Sequence, residues 1–467
     1  MSSSGLWPFA TVGWPQLEGS SEVNDLSRFY PASVLETGYD ILFFWVARMV
    51  MMGLEFTDKA PFHTIYMHGL VRDAQGRKMS KTTGNVIDPL DTIDSFGADA
   101  LRYTLVTGST PGQDIPLSIE RIEANRNFGN KLWNAGGIYS LYWQLVLILS
   151  YVGKYIQNVL ASSDDAERQS LMKNMAFDEL EMHSLPLPEL YIISACHQLI
   201  EKVTDSLERY DLGDAGRQIY EFLWDEYADW YIEISKTRMR DPATAVMARR
   251  VLVYVWERCL RLLHPFMPFL TETLWQQLPH VGSSIMIENW PKMGQEQLHI
   301  EQSSLTNFKA IQALIRSIRN ARAEYNVEAG KKIAAVIKAD GKLAQSLSEE
   351  KASLSLLGRI EESSLSIIDI AAAVPSTKCV HLVVQEGLEA FLPMADMVDR
   401  EKELMRLSKQ AEKLQKDISG LESRLQSKGF VDKAPESVIA EVKANLADKM
   451  DQLRAVNKSI ESLSVSQ

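Results

Sequence analysis

The stretch Gly76–Pro89, GRKMSKTTGNVIDP, decides how this chain is read. Three cations, Arg77, Lys78 and Lys81, sit among Gly76, Gly84, Ser80, Thr82 and Thr83. Lysine ammonium groups on flexible stems follow moving negative charge better than a rigid guanidinium fork does. The hydroxyls add donors, and the glycines free the backbone. A run of this composition fits a hydrated turn as well as a phosphate-binding loop. Its neighbours narrow the choice. FHTIYMHGLV before it is rich in β-formers and ends at the charged turn RDAQGR. DPLDTIDSFGADALRYTLV after it opens with Asp88-Pro89, a helix-start pair, and continues as one helix. Strand, basic glycine-containing loop and helix is the order of an α/β nucleotide site at the carboxyl end of a sheet. Upstream, GYDILFFWVARMVMMGLEF is apolar on nearly every face and predicts a helix buried in an α/β layer.

Composition bounds the rest. The chain has 467 residues, which suggests about three domains, and the apolar content suits a large soluble core. Its three cysteines lie far apart without metal-ligand spacing, so a reduced compartment and no metal site are expected. The N-terminal segment has no basic leader and no continuous apolar core, so no signal peptide is read there. Net charge is −12, so any nucleic-acid contact must come from local basic patches.

Residues 1–124 alternate between strand and helix patterns. Residues 125–330 read as a helical bundle. Within it, helix-spaced Trp224, Tyr227 and Trp230 fit a core stripe better than base-stacking platforms, and Arg316, Arg319 and Arg322 recur at three-residue spacing. Residues 331–397 switch to a small α/β module, with strands expected in KKIAAVIKAD, SSLSIID and CVHLVVQEG and a helix between the first two. In residues 398–467, Leu404, Leu407, Ala411, Leu414, Ile418, Leu421 and Leu425 form a heptad seam. A break at Gly429 and Pro435 and a second apolar series after it predict an antiparallel coiled-coil hairpin. That segment carries 13 Lys and Arg against 12 Asp and Glu, so it is near +1 and the remainder near −13.

The string KMSKT, Lys78–Thr82, resembles the Lys-Met-Ser-Lys-Ser signature of class I aminoacyl-tRNA synthetases, with Thr82 for the final serine. SSGLWPFATVGWP, MHGLVRDAQGRKMSK, GNVIDPLDTIDSFGADALRYTL, NFGNKLWNAG, DWYIEISK, LLHPFMPFLTETLWQQLP and KGFVDKAPESVI resemble the valyl-tRNA synthetase family in the same order. The resemblance spans essentially the whole chain. It implies a partial Rossmann-like catalytic domain, a helical anticodon-binding domain, a small α/β module and a coiled-coil tRNA-binding arm. It also implies ATP-dependent activation of valine and its transfer to tRNA(Val). Magnesium accompanies ATP, and a monomer without membrane attachment is expected. Lys78 and Lys81 would stabilise phosphate charge. Gly38, Asp40, His68, Gly69, Met79, Ser80, Lys81 and Thr82 would line the nucleotide. Asp40 is suited to ribose hydroxyls, whereas His68 and Trp45 also suit structural roles. Arg316, Arg319 and Arg322 would meet tRNA phosphates.

Two departures qualify the resemblance. None of the eight histidines has the spacing of the family's second signature, His-x-Gly-His. The chain therefore reads as the C-terminal portion of a longer enzyme, expected to be inactive alone, with a non-catalytic tRNA-binding module or a coiled-coil interaction protein as alternatives. A cytoplasmic or organellar-matrix location fits equally. Further, GIYSLYWQLVLILSYVG, residues 137–153, looks inserted. Joining Gly136 to Lys154 restores the family pattern, and the residue usage fits a retained short intron or a gene-model error. If helical, 17 residues would rotate the downstream apolar stripe by about 260°.

Overall fold

The structure is a computed structural model. It describes residues 2–15, 25–107 apart from 74, 81 and 83, then 112–116, 138–163, 165–173, 177, 179–291, 300–373, 379–393, 400–426 and positions scattered over 442–457. Two compact units form, Met1–Phe308 and Lys309–Gln467.

In the first unit, strand β1 (Ala32–Gly38) pairs in parallel with β2 (Phe62–His68), register running from Ala32↔Phe62 to Gly38↔His68. A parallel pair needs a crossover, and residues between the strands supply helix Ala47–Thr57. This helix is not enclosed as its composition predicts. Together with the preceding turn Leu42–Val46 it buries Val46, Met49 and Gly53, spaced three and four apart, while Phe43 is 77%, Phe44 64% and Met51 69% exposed. One stripe suffices for packing; the rest of the apolar surface stays accessible among the described residues. Helix Ser2–Ala10 crosses it closely, for a Cβ on Gly5 would lie 2.7 Å from the Met52 sulfur. Phe9 is fully buried, edge-on to Trp14 and Tyr30, whereas Trp7 points outward.

Strand β3 (Val71–Arg72) pairs in parallel with β4 (Ile115–Pro116). The segment after the basic loop forms two helices rather than one, Pro89–Phe96 and Ala98–Thr107. Asp88 caps the first, accepting from Leu90 N at 2.8 Å, with Pro89 at the first helical position. Gly97, at φ 89°, ends it.

Helix Ala98–Thr107 joins this α/β part to the bundle. The Tyr103 hydroxyl donates to Gly216 O at 3.0 Å, and Arg102 donates to Pro265 O at 2.9 Å. Buried Asp99 accepts from Phe269 N and Leu270 N, so it caps helix Pro268–Trp275 from another helix. The bundle core is formed by helices Leu187–Glu208 and Pro242–Leu263 and by the π-helical turn Phe222–Ile232. Tyr227 and Trp230 are buried there, and the Tyr227 hydroxyl donates to Leu252 O at 2.7 Å. Both are core residues, so base stacking by them is ruled out. Pro265 and Pro268 interrupt the next helical stretch: one helix ends at Leu263 and the next starts at Pro268. Most of the segment that looks inserted lies in helix Ile138–Ala161, which continues through Gly153 and Lys154 without a break. Buried Leu149, Val152, Ile156 and Leu160 form one stripe across that junction, and the chain before Ile138, against which a rotation would be read, lies outside the described residues. Among the described residues no helix is long and apolar enough to cross a membrane.

In the second unit, strands β5 (Ile333–Ala339), β6 (Ile360–Asp369), β7 (Cys379–Gln385) and β8 (Leu388–Pro393) form one sheet in the order β6-β5-β8-β7. β5 and β6 are parallel, joined by helices Gly341–Glu349 and Lys351–Gly358; the other pairs are antiparallel. β8, a short apolar run after the Gly387 turn, is an addition to the three strands expected from the residues. Helix Arg400–Gln426 comes next, with Leu414 and Ile418 buried. The Lys449 ammonium lies 3.4 Å from the Asp417 carboxylate, and Leu404 and Leu407 side chains lie outside the described residues.

Removing the cross-helix cap with Asp99→Ala should lower stability by about 1–2 kcal/mol. A fall in the thermal midpoint of the bundle transition checks this; an unchanged midpoint would show that Asp99 does not tie the two parts.

Candidate nucleotide site

The register of β1 and β2 sets their carboxyl ends level, so Gly38 and His68 are partners in the sheet. Chain leaving these ends supplies the site. Gly38 is buried, and a Cβ there would lie 2.8 Å from Asp40 Oδ1. A side chain there would displace the Asp40 carboxylate from its place over the strand end. The Asp40 carboxylate accepts from Lys78 Nζ at 2.8 Å. That hydrogen bond holds its pKa below the ordinary value, with Coulombic attraction from Lys78 adding to the effect.

His68 lies between two oxygens. Its Nδ1 donates to Gly69 O at 2.7 Å, and Nε2 is 3.1 Å from Glu36 Oε1. A carbonyl only accepts, so Nδ1 carries a proton, and both contacts are hydrogen bonds when the ring is an imidazolium. Gly69 has a packing cause: a Cβ would lie 1.6 Å from Gln113 O, where the chain toward β4 crosses it. Asp114, next in that chain, accepts from Leu70 N at 2.8 Å and pairs with the Arg72 guanidinium. The bond from Leu70 N, with Arg72 second, lowers the Asp114 pKa.

The basic loop leaves β3 as a tight hairpin. Asp73 N donates to Arg77 O at 2.9 Å, Gly76 at φ 75° makes the turn, and Lys78 bridges back to Arg72. Buried Asp73 takes four hydrogen bonds: Gln75 N at 3.0 Å, Arg77 N at 2.8 Å, Arg77 Nε at 2.8 Å and Asn85 Nδ2 at 2.9 Å. The Asn85 bond leads in pushing its pKa down to about 2. Asn85 Oδ1 accepts from Ser80 N at 3.0 Å. Ser80 and Thr82 hydroxyls are 3.0 Å apart, and Met79 is half-buried. Lys81 and Thr83 lie outside the described residues, and so does the expected Lys81 phosphate contact.

The structure thus brings Gly38, Asp40, His68, Gly69, Lys78, Met79, Ser80 and Thr82 to one end of a parallel pair. Sequence reasoning missed Glu36, Asp73, Asn85 and Asp114. Asp73 carried a faint signal, four residues before Arg77 in the pattern of a local ion pair. The other three depend on chain approach across the sheet. Trp45 is half-buried in a second π-helical turn, Leu42–Val46. Among the described residues no group of three or more His, Cys, Asp or Glu is disposed to hold a metal.

The three arginines of helix Gln302–Glu324 differ in setting. Arg322 is 6% exposed and donates to Glu328 O, Lys331 O and Arg359 O at 3.0, 2.7 and 3.3 Å. Burial, with Arg359 nearby, lowers its pKa. Its expected contact with tRNA phosphate is therefore corrected to a structural one, because its guanidinium is enclosed among carbonyls. Arg319 is exposed but donates Nε–H to Leu357 O at 3.0 Å, and Arg316 is exposed.

A chain with this site has recognisable relatives. Residues 2–118 match the family of class I tRNA synthetases for I, L, M and V, residues 189–337 the anticodon-binding domain of tRNA ligases, and residues 399–464 the valyl tRNA synthetase tRNA binding arm. A chloroplastic/mitochondrial valine–tRNA ligase of Arabidopsis thaliana is 45% identical over 99% of this chain and 45% of its own length. The valine–tRNA ligase of Bacillus subtilis is 38% identical over 99% of this chain and 48% of its own. The chain spans about half the length of the curated relatives it matches. A solved LeuRS–tRNA complex from Agrobacterium radiobacter K84 aligns with 64% of this chain and 33% of its own, at 22% identity and a TM-score of 0.45. With three family matches in the family's order and valine–tRNA ligases similar along its whole length, the chain belongs to the valyl-tRNA synthetase family of class I tRNA synthetases.

Proposed function

We propose that this chain handles ATP and tRNA(Val) in valine–tRNA ligation. The observation that carries the reading is the Lys78–Asp40 pair, 2.8 Å apart beyond the carboxyl ends of β1 and β2. A carboxylate suited to ribose hydroxyls stands beside a cation suited to phosphate, where α/β sheets bind nucleotides. In the reaction, a valine carboxylate oxygen attacks the α-phosphorus of ATP. An acyl-phosphate bond forms, the α–β phosphoanhydride breaks, and pyrophosphate leaves. Lys78, with Lys81, balances the charge that builds on the departing phosphates. Asp40 orients the ribose, and the Ser80 and Thr82 hydroxyls add donors. Magnesium travels on the ATP phosphates, its usual setting. The terminal ribose hydroxyl of tRNA then takes the valyl group and AMP leaves.

The bundle would carry the anticodon contact, with Arg316 and the exposed part of Arg319 on tRNA phosphates. The helix Arg400–Gln426 and the helical residues after it would form the antiparallel coiled-coil arm. Buried Leu414, Ile418 and Val442 support this. A monomer is expected, in the cytoplasm or an organellar matrix. A second reading, tRNA binding without catalysis, is favoured by one observation: no His-x-Gly-His occurs in these 467 residues.

Valine-dependent ATP–pyrophosphate exchange, run beside tRNA(Val) binding, separates the two readings. Exchange above background supports ligation by this chain; tRNA binding without exchange selects the second reading, and neither activity sinks both. Lys78→Ala should weaken Mg–ATP binding about tenfold, since a charge-assisted phosphate contact is lost, with an unchanged melting temperature because the side chain is half-exposed; calorimetric titration reads this. Arg316→Glu should weaken tRNA binding and reduce the salt slope by about 1. Arg322→Ala should instead lower the melting temperature of the second unit. The pH dependence comes from Asp73. Its pKa is depressed in the fold, so its stabilisation of the loop is present above about pH 4 and is lost as pH falls toward 2. Amide exchange at Gln75 and Arg77, corrected for intrinsic rates, should show protection fading over that window, and Asp73→Asn should abolish the trend.

A further inference from the structure

We infer that Asn85 and Asp73 are positioning residues of the phosphate loop, a brace that sets where Lys78 and Ser80 stand. This rests on the nucleotide reading of the site, and it adds two residues that touch no nucleotide themselves. Asp73 is 6% exposed, where the chain leaves β3, and Asn85 lies twelve residues later, beyond the lysine signature. Their side chains meet at 2.9 Å, closing the loop at its base. The Asn85 amide then reaches both sides of Met79: Nδ2 donates to Lys78 O at 3.3 Å, and Oδ1 accepts from Ser80 N at 3.0 Å. Asp73 meanwhile holds the opposite limb through Arg77 N and Gln75 N. The backbone of the phosphate-facing residues is thus fixed from below, while their side chains remain exposed. Lys78 can then extend its ammonium to Asp40.

The chemistry of position 85 is narrow. It needs two N–H donors, for a carboxylate and a carbonyl, and one acceptor for an amide N–H. Among small side chains only asparagine offers both from one planar group. Aspartate has the same shape, but it would put a second carboxylate 2.9 Å from that of Asp73. Both N–H donors would be lost and two anions would face each other. Shape-based packing predicts that Asn85→Asp is mild. A brace predicts that it is at least as disruptive as Asn85→Ala.

Limited trypsin digestion of the full chain, with mass spectrometry of the cut sites, tests this directly, because Arg77 and Lys78 are themselves trypsin sites. Cutting there requires the hairpin to open. Without nucleotide, Asn85→Asp and Asn85→Ala should each be cut after Arg77 or Lys78 about tenfold faster than wild type, with unchanged cutting in the bundle. Asp73→Asn should do the same, and the Asp73→Asn/Asn85→Ala double variant should be cut more slowly than the product of the two single effects, since the shared hydrogen bond is removed once. Rates within twofold of wild type, an additive double variant, or cutting that spreads through the bundle in every variant would each overturn the brace. Adding Mg–ATP separates the two claims. If ATP slows cutting in wild type, the variants should need about tenfold more for the same protection. If ATP has no effect on wild type, the nucleotide reading fails, and the brace is still judged by the nucleotide-free rates.

Discussion

Parallel pairing of β1 with β2 is the constraint on which the site depends. Hydrogen bonding in that register brings Gly38 and His68 side by side, although a whole helix separates them in the chain. Both segments emerge at the same edge, so their polar residues face a common space. Gly38 leaves room for the Asp40 carboxylate, and Gly69 lets the Gln113–Asp114 segment pass close enough to tie β3 to β4. A side chain at Gly69 would separate backbone segments that the site requires together, and one at Gly38 would displace the Asp40 carboxylate.

Within that frame the charges are partnered at short range. Asp40 with Lys78, Asp73 with Arg77 and Asp114 with Arg72 are three carboxylate–cation pairs along the chain that follows β1 and β2 and pairs as β3 and β4. They are not equivalent. Asp73 and Asp114 also accept backbone N–H groups, which makes them supports of the chain. Asp40 accepts its side-chain hydrogen bond from an exposed lysine, so its pair can be exchanged for a ligand's hydroxyl and phosphate groups. Partial burial and the number of backbone donors therefore separate structural carboxylates from one suited to ligand. The same reasoning separates Arg322, enclosed by three carbonyls, from Arg316 on the same helix.

Much of this is legible in the residues. The strand before the loop, the helix start at Asp88-Pro89, the interruption between Leu263 and Pro268 and the strands of the small module come from local chemistry, because turn residues, proline and side-chain periodicity act within a few positions. The nearness of Asp40, His68 and Lys78 is reached only through resemblance to a family. The failures have a common form. A helix apolar on every side reads as enclosed, yet Phe43 and Phe44 are exposed; three evenly spaced arginines read alike, yet one is buried; one helix reads through Gly97, which has a positive φ.

The sequence by itself determined most of the elements, though neither β8 nor the break at Gly97, and also the lysine-containing loop and the family, since each is written in contiguous residues. Only the tertiary structure decided which face of the Ala47–Thr57 helix is buried, that Arg322 serves the fold, and that Asn85 reaches back to Asp73 beneath the loop. Those outcomes depend on which distant backbone groups come within hydrogen-bond reach, and strand pairing and turn geometry set that reach, which no local pattern of side chains encodes.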